Sequence, residues 1–462
     1  MKKKICIQGL GFVGSAMAAA VANTKNLKGE YCFDVTVVDL KTALSLKKVN
    51  LANSGYFPME TSDKKLKKIF KSCVQRGNLK ASYNEMFYED ADIIIVDIGI
   101  DIDFYSINPK IMFDKFKSAI QTIAKKMKQH ALVIIETTVP PGTCEKIVLP
   151  IIVKEFKKRN IDFTKINLAH SYERVMPGKN YYDSIVNFWR VYSGINENSA
   201  NKCKKFLEKV INTSKYPLTR LNSTTASETA KLLENSYRAV NIAFIHEWTA
   251  FAELSGIDLF EIINAIKIRP THNNIRFPGL GIGGYCLTKD PSFAPAVSKS
   301  LFGIDLDFPF SKLSTKISIE MPFHTFKRAK KMLGQFQNKK ILLCGISYKE
   351  DIADTRYSPS QILYEKLLTT KAKVDLHDPM VTHWNEFSLD IDVNVFPSSE
   401  TYDLVIFCVP HSFYCSLNLL NWVKNKKKTK ILDAFMVFKS NERKKYLKNG
   451  VKIEAIGVAK GI

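Results

Sequence analysis

The chain has 462 residues, 45% of them hydrophobic, and its 68 basic and 45 acidic residues leave a formal charge of +23. That length exceeds one domain of roughly 100–200 residues, so two or three compact units with sizeable cores are expected. No apolar run reaches the ~20 residues of a membrane-spanning helix, and the lysines are spread along the chain rather than gathered into a nucleic-acid-binding arm or recognition helix. Solvated lysine-rich surfaces account for the charge, which is also compatible with anionic small substrates. Nine cysteines, none in a C-x-x-C pair and most inside apolar runs, read as the reduced thiols of a cytoplasmic protein.

Lys2, Lys3 and Lys4 ahead of an apolar stretch imitate a secretory signal, but Gln8, Gly9, Gly11 and Gly14 interrupt it. Near-continuous apolar runs at Lys4 to Gln8, Asp34 to Val38, Asp92 to Val96, Ala131 to Ile135 and Ile166 to Ala169 read as buried parallel strands. Helical patterns such as Val13 to Ala22 and Pro109 to Met127 lie between them, which gives a doubly wound sheet. From Thr224 to Leu254 the apolar residues Leu232, Leu233, Tyr237, Val240, Phe244 and Trp248 recur at helical spacing, predicting one long helix. Further helical segments follow, broken by a Gly-rich loop from Phe277 to Gly284. Beyond Gln335 a second alternation has strands at Lys340 to Cys344, Val374 to Leu376, Leu404 to Phe407, Ile431 to Leu432 and Ile453 to Ile456. The fold class is α/β, with two Rossmann-like doubly wound domains bridged by a long central helix and a helical segment.

The first strand runs into Gly9-Leu-Gly11-Phe12-Val13-Gly14 and then a helix. In that context the glycines permit a tight turn, close approach of a pyrophosphate and close helix-strand packing, with phosphate charge at the helix N-terminus. Asp39 at the end of the second strand would accept hydrogen bonds from the adenosine ribose and repel a 2′-phosphate, so the expected cofactor is NAD. No metal site is expected. A dinucleotide fold alone does not name a reaction.

Glu136-Thr-Thr-Val-Pro-Pro-Gly142, Lys231-Leu-Leu-Glu-Asn235 and Gly283-Gly-Tyr-Cys-Leu-Thr-Lys-Asp290 resemble, in order and spacing, the UDP-glucose/GDP-mannose dehydrogenase family. Ser347-Tyr-Lys-Glu-Asp-Ile-Ala-Asp-Thr-Arg356 and His377-Asp-Pro379 resemble its C-terminal nucleotide-binding signature, so the resemblance extends over nearly the whole chain. It implies an NAD-binding domain at 1–212, a central helical, dimerising and catalytic segment at 213–330 and a UDP-sugar-binding domain at 331–462. It further implies a homodimer or larger assembly, a UDP-sugar substrate and a place in the supply of surface polysaccharide precursors. No nucleic-acid partner and no membrane insertion are expected.

The residue types fit a four-electron oxidation of a sugar C6 hydroxymethyl group. A thiolate at Cys286 can capture the first-formed aldehyde as a thiohemiacetal, and a second hydride loss gives a thioester. Lys231 and Asn235, one helical turn apart, offer a cation and an amide donor to each oxyanion. By resemblance Thr138 positions the hydrolytic water, and Glu173 and Asp290 are acid/base groups. Glu173, Arg174, Lys231, Asn235, Gly283, Gly284, Lys349 and Arg356 would bind substrate, with Lys349 and Arg356 open between substrate and cofactor. A cysteine is more often a buried hydrophobe, and Lys231 and Asn235 in isolation would be a solvated helix face. His170 reads as a structural histidine.

Three positions depart from the family pattern. Tyr172 stands where Pro is usual, while Arg174 and Pro177-Gly178 resemble the branch that oxidises UDP-N-acetylhexosamines. Tyr285 and Lys289 resemble the UDP-glucose branch instead. Asp97 opens the segment that commonly reads Pro-Thr-Pro, and Phe435 replaces a late arginine that an aromatic ring cannot imitate. Two other functions compete: a hydroxyacid-type dehydrogenase making one hydride transfer, and a catalytically weak nucleotide-sugar-binding homologue.

Overall fold

A computed structural model of the chain describes residues 2–103, 110–426 and 428–461. They form two compact units, residues 1–234 with 292–307 and residues 235–291 with 308–462.

The first unit is built on strands β1 (Lys3–Gln8), β2 (Phe33–Val38), β3 (Leu79–Ser82), β4 (Ile93–Val96), β5 (Leu132–Ile135), β6 (Asn167–His170), β7 (Val191–Gly194) and β8 (Thr219–Arg220). Their order in the sheet is β3-β2-β1-β4-β5-β6-β7-β8. All neighbours are parallel except β6 and β7. β1 and β4 are adjacent, so the chain reverses direction across the sheet between them, and ligands of such sheets bind beyond the strand C-termini at that point. Helix α1 (Phe12–Ala22) is almost entirely small residues, which lets it lie close on the strands, and it is buried from Gly14 to Ala22. Helix α2 (Asp114–Lys126) covers part of the region expected as a helix from Pro109, a residue outside the described set. Helix α3 (Leu149–Lys158) packs against it. Helix α4 (Glu197–Val210) starts where the Asn196 side chain accepts from Ser199 N–H. Two apolar clusters fill the two faces of the sheet.

Helix α5 (Thr224–Ser255) belongs to the first unit through Glu234 and to the second from Asn235. In the second unit, helix α6 (Pro309–Leu333) precedes strands β9 (Lys340–Cys344), β10 (Lys373–His377), β11 (Leu404–Phe407), β12 (Lys430–Asp433) and β13 (Lys452–Ala455). They form a wholly parallel sheet in the order β10-β9-β11-β12-β13, again doubly wound. The α/β class and the long helix agree with the sequence. β3, β7 and β8 were not anticipated, being short and only partly apolar. The second strand ends at Val38, one residue before Asp39.

Candidate active site

In the first unit the glycine turn is packed as tightly as its sequence demands. A Cβ on Gly14 would stand 2.0 Å from the Gly9 carbonyl oxygen, and one on Gly9, at φ +114°, would stand 2.7 Å from that of Asp97. Gly11 has nothing within 4 Å of such a Cβ, and as N-cap of α1 it provides no side-chain acceptor for the first helical N–H groups. A helix N-terminus of this kind suits a phosphate. Phe12 and Val13, partly exposed, form its first turn. Asp39 accepts from Leu10 N–H at 3.3 Å and Leu40 N–H at 2.8 Å, which fixes its carboxylate at the rim of the turn. These residues fit NAD. Asp39→Ala is expected to relax discrimination against NADP, read as the ratio of kcat/KM for the two cofactors; an unchanged ratio would remove Asp39 from the ribose.

Beyond β4 and β5 lies a buried acidic pair. Val96 is in register with Ile135, so the next residues, Asp97 and Glu136, emerge side by side. Arg190, 2% exposed, closes on Glu136 Oε1 at 2.8 Å. Neither Asp97 oxygen nor Glu136 Oε2 has a donor among the described residues. Burial, then Glu136 and Glu173, push the Asp97 carboxyl well above the usual range, and burial also raises Glu136 against the pull of Arg190. Two facing carboxylates cannot both ionise in a dry site. Asp97 is thus the carboxyl pushed furthest toward its protonated form, while Arg190 offsets part of the charge on Glu136.

Glu173 and Lys231 meet on the same unit. Lys231 Nζ donates to the Glu173 carbonyl oxygen at 2.9 Å and stands 3.5 Å from Oε1, with both side chains 9% exposed. Glu173 Oε2 accepts from Val175 N–H. Tyr172 is buried, donates to Glu234 Oε1 at 3.1 Å and lies under both Lys231 and Arg174. Burial and Glu234 lift its phenol to about 12. Arg174 pairs with Glu234, which holds its guanidinium partly exposed beside Tyr172. His170 Nδ1 hydrogen-bonds Ser227 Oγ at 2.7 Å; burial, then Lys231, depress it to about 3, so it is neutral and a poor base.

Thr138 is buried in the loop after β5. That loop is anchored by Glu228 of α5, which accepts from Gly142 N–H at 2.6 Å and Cys144 N–H at 2.8 Å. Burial raises Glu228 to about 7 against those two donors. Unfolded, it ionises near 4.5, so between these values the native state holds the extra proton and stability falls as pH rises, levelling above about 7. Glu228→Gln should cost roughly 1–3 kcal/mol and lose that slope. A Tm-pH curve of unchanged slope would assign the titration to another group.

In the second unit the Gly-rich loop lies against Tyr348. Gly284, at φ +82°, would place a Cβ 2.6 Å from its ring, and Gly284 N–H donates to the Arg356 carbonyl at 3.1 Å. Cys286 follows, exposed. Its carbonyl accepts from Lys289 N–H at 3.2 Å and Asp290 N–H at 2.9 Å, so a tight turn joins the backbone of Cys286 to that of Asp290. Asp290 is fully buried and doubly held: Asn235 Nδ2 donates to Oδ2 at 2.6 Å and Lys289 Nζ to Oδ1 at 2.9 Å. Buried Asp378 accepts from Ile346 N–H at 2.8 Å and Ser347 N–H at 3.0 Å, fixing the turn that carries Lys349. Lys349 stands 3.9 Å from Glu350, and Arg356 is bidentate on Asp354 at 2.6 and 2.9 Å. The ring of Phe435 closes on the loop backbone, 2.8 Å from a Cβ at Gly279.

The candidate residues thus fall into two sets: Thr138, Glu173, Arg174 and Lys231 with the cofactor turn, and Asn235, Gly283, Gly284, Cys286, Asp290, Lys349 and Arg356 in the second unit. Sequence reasoning missed Arg190, Glu228 and the partnership of Asp97 with Glu136. Only the strand register could have pointed to the pair.

The NAD binding domain of the UDP-glucose/GDP-mannose dehydrogenase family matches residues 3–212, its central domain residues 225–307 and its UDP binding domain residues 342–440. The chain belongs to this family. A UDP-N-acetyl-D-mannosamine dehydrogenase of Methanocaldococcus jannaschii is 29% identical over 466 residues, spanning 99% of this chain and 97% of that one. One of Pyrococcus horikoshii is 28% identical over 442 residues, spanning 94% and 96%. The solved structure of a UDP-D-ManNAc dehydrogenase from Pyrococcus horikoshii shares the fold, with a TM-score of 0.80 at 24% identity over 98% of this chain and 99% of that one. As a member of the UDP-glucose/GDP-mannose dehydrogenase family, the protein is an NAD-dependent UDP-sugar dehydrogenase. Among the described residues no helix is long and apolar enough to cross a membrane.

Proposed function

We propose that the enzyme oxidises the C6 hydroxymethyl group of a UDP-N-acetylhexosamine, UDP-N-acetylmannosamine foremost, to the carboxylate in two successive steps through Cys286. The observation that carries this reading is an exposed thiol one tight turn from a buried Asp290 that Asn235 and Lys289 hold in place. NAD, when bound by the Gly9–Gly14 turn and Asp39, supplies the hydride acceptor for both oxidations.

Loss of hydride from C6 and a proton from its hydroxyl gives the aldehyde. The Cys286 thiolate adds to that carbonyl, and the resulting thiohemiacetal loses a second hydride and proton to become a thioester. Water then cleaves the C–S bond, returning the thiol and releasing the acid. Lys231, held by Glu173, and Asn235 stabilise the successive oxyanions. Glu173 and Asp290 move protons and Thr138 orients the water. Gly283 and Gly284 offer backbone to the sugar, Arg174 reads its substituent, and Lys349 and Arg356 hold the nucleotide. The division at 212 and 330 assigns cofactor, catalytic helix and nucleotide to successive segments, in the cytoplasm and in the supply of surface polysaccharide precursors.

The N-acetylated substrate is supported by Arg174 with Pro177-Gly178 and by the names of the relatives. NADH formation across UDP-N-acetylmannosamine, UDP-N-acetylglucosamine and UDP-glucose tests it: the first is expected to give the highest kcat/KM, and preference for UDP-glucose would overturn it. UDP-sugar binding without NADH would identify a binding homologue.

A homodimer is part of the proposal. Tyr237, Phe244, Trp248, Phe251 and Leu254 of α5 are all more than 40% exposed, an aromatic surface of the kind that subunit contacts cover. Sedimentation at micromolar concentration is expected to show a dimer or larger species, and a monomer alone would contradict this.

A further inference from the structure

The first unit has a cavity of about 860 Å³ at the N-terminal ends of β1, β2, β4 and β5, the opposite edge of the sheet from Gly9, Asp39 and Asp97. Seven lysines line it against two carboxylates, Asp92 and Glu208. Both acids are engaged: Asp92 with Lys128 at 3.3 Å and Glu208 with Lys204, outside the cavity, at 3.7 Å. Lys2 and Lys4 also pair outward, with Asp34 at 3.4 Å and Asp90 at 2.8 Å.

Four cations remain. Lys202, Lys205 and Lys209 lie at i, i+3 and i+7 on one face of α4, and Lys3 begins β1. None of the four has a carboxylate partner among the described residues. Burial, and after it the charge of Lys3, hold the Lys202 ammonium below its ordinary range. The inner wall is apolar, with Phe33, Ile93, Leu132 and Phe206 at the strand ends and helix face. Like charges so arranged repel one another, and a multiply charged anion reverses the sign of that energy. The volume lies within the ~300–1,000 Å³ of small-molecule sites, whereas a single-stranded nucleic acid needs an extended groove with stacking aromatics.

We propose that this cavity is a second anion site, separate from the cofactor edge, which takes a small molecule bearing a di- or triphosphate group. Lys202, Lys205 and Lys209 form one wall of the phosphate cradle and Lys3 the other. The phosphate tail is the recognised chemistry, whether it is inorganic or carried by a nucleoside.

Calorimetric titration of inorganic triphosphate into the enzyme held in saturating NAD and UDP tests it, since both nucleotide sites are then filled and no turnover is involved. One triphosphate per chain is expected, with affinity falling steeply as salt rises. Lys202→Gln/Lys205→Gln/Lys209→Gln should weaken it at least tenfold with the melting temperature in free NAD unchanged. ATP matching triphosphate would show that the tail alone binds, and ATP binding tighter would add a base on the apolar wall; both support the site. No heat under these conditions, or equal affinity in the triple variant, would overturn the proposal. Failure of the chemistry at Cys286 would leave this result untouched.

Discussion

Cys286→Ser is expected to lower steady-state conversion of UDP-sugar to acid by at least ~10²-fold, the scale on which covalent enzymes lose rate with their nucleophile. Serine preserves the shape of the turn that ends on Asp290 but presents a poorly ionised hydroxyl, whose ester-type adduct water cleaves far less readily. The first hydride loss needs no sulfur, so a single slow turnover or a trapped adduct should survive, visible by mass spectrometry of the protein after incubation with UDP-sugar and NAD. If the variant forms acid at the wild-type rate, Cys286 is not the nucleophile and the covalent route is wrong.

Arg190→Met should destabilise the first unit by about 3–5 kcal/mol, the cost of removing one partner from a buried ion pair. In a domain of that size this corresponds to a fall in Tm of roughly 10 °C. The loss arises because Glu136 is buried and pairs with no cation but Arg190 among the described residues. Asp97→Asn is the informative companion, since the amide is neutral and of the same shape as the protonated carboxyl, and its stability at neutral pH should change by less than ~1 kcal/mol. Unfolded Asp97 ionises near 3.8 and the native one well above it. Native Asp97 is thus the more protonated over that interval, stability declines as pH rises through it, and Asp97→Asn should flatten the decline. A Tm for Arg190→Met within a degree or two of wild type would mean that the acidic pair is solvated.

The fold was legible because its signals are local. Ile93 to Val96 and Leu132 to Ile135 are unbroken β-branched or leucine runs, and the glycine spacing of residues 9 to 14 is enforced by contacts of 2.0 and 2.7 Å that any Cβ would violate. Val191 to Gly194 escaped notice because two of its four residues are Ser and Gly. Cys286, Asp290, Lys231 and Asn235 could be named from motif order, but their partners could not. Asp97, Glu136 and Arg190 are far apart in sequence; the register of β4 on β5 sets the two carboxyls side by side, and Arg190 reaches them from the residue before β7. Glu228 lies one turn before Lys231 on α5 and acts on a loop more than eighty residues earlier. Phe435 is a lost arginine in sequence; in the structure it is a ring packed on the backbone at Gly279, which fills volume and supplies no charge.

The most direct test of the central claim is the number of NADH formed per UDP-sugar consumed, measured with purified enzyme and limiting UDP-N-acetylmannosamine run to completion. Two NADH and one uronic acid per sugar are predicted, with no free aldehyde accumulating. One NADH per sugar, with the aldehyde as final product, would contradict the account.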